Sequence, residues 1–186
     1  MSSEDRKAER LSVSLDYESA KLIDELEKKL DTSRSEVIRE SLKCLDTVWD
    51  QGEIQLSTVK TYLEYLQGKE HLVLDISLLN AMLLEIGEGS EDFWKEVREI
   101  GKEHWKEREN RGFEKVEDVL KYFEKTNIFS LYRFSKNSFI LKPSVRESEK
   151  WQKEFFKGFF EASPYEAEIT TSRGKIRIKI LSSSQE

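Results

Sequence analysis

The sequence predicts an α+β protein in two parts. A short N-terminal unit is completed by pairing with a second copy, and a larger C-terminal unit packs helices on an antiparallel sheet of two hairpins. Three observations predict this. Residues 11–15 alternate apolar and polar, then give way to two helical patterns. Four β-type runs, in two closely spaced pairs, follow residue 126. All ten phenylalanines lie beyond residue 90, so the bulky core material belongs to the second part. The parts are expected to meet near residue 50, giving domains 1–50 and 51–186.

The first element is the stretch "ERLSVSLDYES" at 9–19. Leu11, Val13 and Leu15 fall on one face of a strand, and Arg10, Ser12 and Ser14 on the other. One strand leaves its backbone donors and acceptors unpaired, so it is expected to pair antiparallel with the same strand of a second chain. "DYESAKLIDELEKKLDT" follows as a helix on Ala20, Ile23, Leu26 and Leu30, widened by Leu22, with Lys28 and Lys29 suited to its C-terminal dipole. In "TSRSEVIRESLKCLDTVW", Ser33 and Glu36 have capping-box spacing before a second amphipathic helix. Some 45 residues cannot bury enough surface alone. Four helices from two copies would close over the apolar side of a swapped two-stranded ribbon.

This segment resembles the ribbon-helix-helix (MetJ/Arc/CopG-type) DNA-binding domains, on "RLSVSLD" for the strand and "SRSEVIRESL" for the start of the second helix. Asp31 and Thr32 stand where many members carry glycine. A β-ribbon fits the major groove, which makes Arg10, Ser12 and Ser14 the expected base-contacting residues. Free N–H groups at a helix start favour an anion, so Ser33, Arg34 and Ser35 are expected at a backbone phosphate, with Lys7, ahead of the strand, following the DNA backbone as part of an arm. The expected partners are a palindromic double-stranded DNA operator and a second copy, with pairing of dimers into tetramers left open. Net charge is −6, and residues 1–50 hold 9 Lys/Arg against 13 Asp/Glu. DNA contact therefore requires a local cationic cluster rather than a basic domain.

Beyond Trp49, "IQLSTVKTYLEYLQG" reads as a helix on Val59, Tyr62, Leu63 and Leu66, stopped by Gly68. "DISLLNAMLLEIG" is a more apolar helix between Asp75 and Gly87. "SEDFWKEVREIGKEHWKEREN" is a third, on Phe93, Val97, Ile100 and Trp105, and "KVEDVLKYFEK" a short fourth. "NIFSLYRF" and "SFILKP" form one hairpin; "YEAEITT" and "KIRIKIL" form another across "SRG". Between them "ESEKWQKEFFKGFFEA" is apolar on most sides and should be buried between layers. Trp151, Phe155, Phe156, Gly158 and Phe159 are its candidate ligand-pocket or interface residues. Over residues 75–181 this order is similar to vinyl-reductase-type sensor domains, related to vesicle-tethering subunits. That resemblance implies a small or apolar effector.

Other chemistry is poorly provided for. His71 and His104 are 33 residues apart without ligand spacing, and Cys44 is the single cysteine, placed mid-helix where a packing thiol is expected. No phosphate loop, nucleophile elbow or dinucleotide fingerprint occurs. No catalysis, metal or cofactor is therefore expected. "MSSEDRKAER" is too polar for a secretory leader, and no apolar run reaches the roughly 18 residues of a membrane span. The expected setting is cytoplasmic. Plentiful Glu and Lys with few Cys and Met suit a thermophile. The predicted function is sequence-specific transcriptional regulation by a homodimeric repressor. The alternative is an antitoxin-type DNA-binding protein whose C-terminal part engages a protein partner.

Overall fold

A computed structural model describes residues 10–49, 55–68, 71–109, 113 and 115–183. The chain divides into two compact units, 1–54 and 55–186.

The N-terminal unit is a helix pair. Helix α1 (Tyr17–Leu30) starts at Asp16, whose carboxylate accepts from the Ser19 N–H at 2.7 Å. This backbone donation, the largest cause, holds the Asp16 carboxyl below its ordinary value. The helix ends at Asp31, which takes the left-handed conformation (φ 48°) that glycine supplies in many such turns. Helix α2 (Arg34–Trp49) follows. Its capping box is half made. Ser33 Oγ accepts from the Glu36 N–H at 3.3 Å, while the Glu36 carboxylate turns to Arg39.

Residues 10–16, ahead of α1, form no strand in the single chain. Leu11, Val13 and Leu15 remain 85%, 66% and 49% exposed. The alternation is present, but pairing needs a second edge, and among the described residues this unit offers none. Val37 is its only buried apolar residue among those described. Cys44, expected to pack, is exposed on α2.

The C-terminal unit opens with α3 (Leu56–Gln67), α4 (Ile76–Ile86), α5 (Glu91–Glu109) and α6 (Val116–Glu124). Asp75 caps α4, accepting from the Ser77 and Leu78 N–H groups. Strands β1 (Phe129–Ser135) and β2 (Ser138–Pro143) form the first hairpin, and β3 (Tyr165–Ser172) and β4 (Lys175–Ser183) the second. Both residues of the second turn, Arg173 (φ 52°) and Gly174 (φ 71°), are left-handed, as a two-residue turn between twisted strands requires. Helix α7 (Glu149–Glu161) lies between the hairpins in sequence. The sheet order is β1-β2-β4-β3, antiparallel throughout.

Register puts Phe139 opposite Ile178 and Leu141 opposite Ile176, all buried at the centre of one face. Along β3, half-buried and exposed residues alternate strictly, so this sheet packs one side only. Onto that side come Trp94, Val97 and Trp105 of α5, Val119, Leu120 and Phe123 of α6, and Phe155, Phe156, Phe159 and Phe160 of α7. Phe123 meets the rings of Phe155, Phe156 and Phe159 edge-on at 5.7–5.8 Å, the preferred aromatic geometry.

Two glycines set how closely α5 and α7 cross. A Cβ on Gly101 would lie 2.1 Å from the Phe155 carbonyl oxygen, and one on Gly158 would lie 1.9 Å from that of Arg98. Gly158 thus serves the approach of the α5 backbone. Its partner Gly101 is not marked by the apolar pattern of α5. On that helix Trp94 faces inward, whereas Ile100, expected in the core, is exposed.

Helix α3 departs further from expectation. Its buried residues are Thr61 and Tyr65, while Leu63 and Leu66 of the predicted inward face point out. Polar contacts hold it. The Arg108 guanidinium donates to Tyr65 Oη at 2.9 Å, and Tyr122 Oη donates to Glu64 at 3.2 Å.

Candidate nucleic-acid interface

The expected base-contacting residues, Arg10, Ser12 and Ser14, lie on the exposed stretch ahead of α1, alternating with Leu11, Val13 and Leu15. Period 2 opposes the two sets if this stretch extends as a strand. Lys7 lies outside the described residues. The described residues also include the α1–α2 corner that follows this stretch.

That corner is fastened by Arg34. Its Nη2 donates to Asp24 Oδ1 at 2.5 Å, its Nε lies 3.5 Å from Glu27 Oε2, and its backbone N–H donates to Glu27 Oε1 at 3.2 Å. The side chain expected at a phosphate is held by two carboxylates of α1. Both partners of each pair are largely exposed, so the fastening is weak, of the order of 1 kcal/mol or less, and can exchange. Ser33 and Ser35 stay exposed at the start of α2, with the Ser33 hydroxyl committed to the Glu36 N–H. A phosphate arriving there meets exposed hydroxyls and a helix N-terminus, and competes with Asp24 and Glu27 for the guanidinium.

The α7 residues considered for a ligand are packed among themselves. Trp151 stacks on Phe155 at 5.9 Å, and Phe155 on Phe159 at 6.3 Å. A cavity of about 840 Å³ lies elsewhere, lined by Ser57, Lys60, Thr61 and Glu64 of α3 and by Tyr122 and Lys125 from the α6 end, among others. None of the five α7 candidates lines it.

The fold brings His71 and His104 together, ring centroids 5.6 Å apart, with His104 edge-on to Phe155 at 5.3 Å. Sequence separation concealed this, since ligand-type spacing reports only neighbours on one helix. Among the described residues no group of three His, Cys, Asp or Glu is placed to hold a metal ion. None of their helices is long and apolar enough to cross a membrane.

Residues 9–43 match a family model described as ribbon-helix-helix protein, copG family. The matched stretch begins one residue before Arg10, takes in α1 and runs to Lys43 in α2. It does not extend into the C-terminal unit. No curated protein matches the chain. Over residues 9–43 the chain is therefore similar to copG-type ribbon-helix-helix domains, a likeness confined to its N-terminal part.

Proposed function

We propose that this protein is a cytoplasmic, homodimeric transcriptional regulator that reads an operator in the major groove with a two-stranded ribbon. The observation carrying this reading is the coincidence of three features in one segment. The family match at 9–43 falls on an alternating stretch with no strand partner among the described residues and on two helices that bury almost nothing alone. A second copy supplies both needs. Its strand satisfies the backbone donors and acceptors, and its helices cover Leu11, Val13 and Leu15. Arg10, Ser12 and Ser14 then project from the ribbon toward base edges, the guanidinium matching guanine O6 and N7. The start of α2 positions the dimer on the backbone through Ser33, Ser35 and an Arg34 released from its carboxylates, with Lys7 beside them.

The C-terminal unit has a full aromatic core of its own. That counts against an antitoxin tail that folds on a toxin, because such a segment lacks a core until bound. The mutual packing of Trp151, Phe155 and Phe159 likewise favours a structural role for α7 over an effector pocket.

Binding selection on random duplexes followed by footprinting tests the proposal. The expected product is a palindromic site protected on two half-sites. In the Arg10→Ala variant, operator affinity is expected to fall by about 1–3 kcal/mol, roughly 5- to 150-fold, with a smaller change on unrelated DNA. Equal losses on both duplexes would mean that Arg10 reads no base.

A further inference from the structure

Helix α3 has two faces of opposite use. Thr61 and Tyr65 turn toward its own unit, where Tyr65 meets Arg108 and the neighbouring Glu64 meets Tyr122. On the other side stand Leu56, Val59, Leu63 and Leu66. Leu56, Leu63 and Leu66 are 64%, 61% and 48% exposed. Their spacing of three, four and three is that of the a and d positions of a heptad. Thr61 and Tyr65 then take positions f and c, away from the seam. Lys60 is the one charged residue beside the seam, since Glu64 falls at position b. A seam of this kind suits a copy of itself, knobs of one helix entering holes of the other. It offers no charge pattern to an acidic or basic partner.

Chain connection indicates which copy. Only positions 50–55 separate the end of α2 at Trp49 from the start of α3 at Leu56, a reach of at most about 25 Å. Pairing of two N-terminal units would therefore hold two α3 helices at roughly millimolar effective concentration. Twelve residues alone are too short for a stable isolated helix pair, so the tether decides the outcome. We infer that the α3 seams of the two chains pack against each other in parallel, forming a second interface of the homodimer that joins its C-terminal units. This inference rests on the reading of the N-terminal unit as a twofold dimer.

Single cysteines in the full chain test it, in a Cys44→Ser background because Cys44 is exposed. Under mild oxidation, Leu63→Cys and Leu66→Cys are expected to convert most of the protein to a disulfide-linked dimer. Facing a and d positions in a parallel pair bring Cα atoms within the roughly 7 Å that a disulfide spans. Ser57→Cys, on the same helix but off the seam, is expected to stay at background. Leu63→Asp is expected to raise the dimer dissociation constant about tenfold or more without altering thermal unfolding of the C-terminal unit. Seam cysteines that cross-link no better than Ser57→Cys, in a protein that is dimeric and binds its operator, would overturn the inference and leave the ribbon intact. A monomeric protein without operator binding would overturn the ribbon first, and the α3 pairing with it.

Discussion

Gly158→Ala is expected to lower the unfolding temperature of the C-terminal unit by about 10 °C or more, the loss of roughly 3 kcal/mol. The added methyl would sit 1.9 Å from the Arg98 carbonyl oxygen and 2.6 Å from its carbon. These are backbone atoms of α5, which no rotamer change can move aside. Accommodating the methyl requires α5 and α7 to separate, and every ring packed between them and the sheet loses contact together. Gly101→Ala makes the reciprocal clash, against Phe155 and Phe159 backbone, and should act alike. Gly68→Ala is the control. Its nearest neighbour is 3.7 Å away and its φ is negative, so almost no change is expected. Thermal unfolding followed through the buried Trp94 and Trp105 measures all three. A Gly158→Ala protein as stable as the parent would mean that α5 and α7 do not cross so closely.

Val13→Asp should abolish the dimer and reduce operator binding more than a hundredfold. In the single chain Val13 is exposed, so a carboxylate there costs the folded chain little. Inside a ribbon covered by four helices it would be buried opposite the same charge from the other copy. Desolvating two like charges costs several kcal/mol, more than a marginal dimer can absorb. The α3 pairing inferred above would depend on the tether and separate too. Mass measurement by light scattering at micromolar concentration checks this, with circular dichroism to show the C-terminal unit still folded. A variant that remained dimeric would place the association surface elsewhere.

The parts of this fold written in neighbouring residues were legible in the sequence. The helix start at Asp75, the four β runs and the aromatic density of α7 all act within one turn or one hairpin. What was missed depends on distant chain. Arg34 reads as a free cation until α1 folds back and presents Asp24 and Glu27. Periodicity identified the apolar stripe of α3 but could not say what covers it, and polar bonds from Tyr65 and Glu64 turned that stripe outward. Gly101, inside a helical pattern, reads as a local cost of about 1 kcal/mol. Its use shows only when Phe155 arrives from the other side of the chain. For the candidate interface, residue types and alternation were readable, whereas residues 10–16 of the single chain form no strand.

The unequal sharing of apolar packing between the two units has a consequence for heating. Val37 is the one buried apolar residue among those described in the N-terminal unit, so in the dimer proposed above that unit would draw its cohesion from association, and mass action would govern its melting. A calorimetric scan should resolve two events. The midpoint of the first should climb with each tenfold increase in protein. The second, carried by the phenylalanine-rich half, should hold its position across the same dilution series.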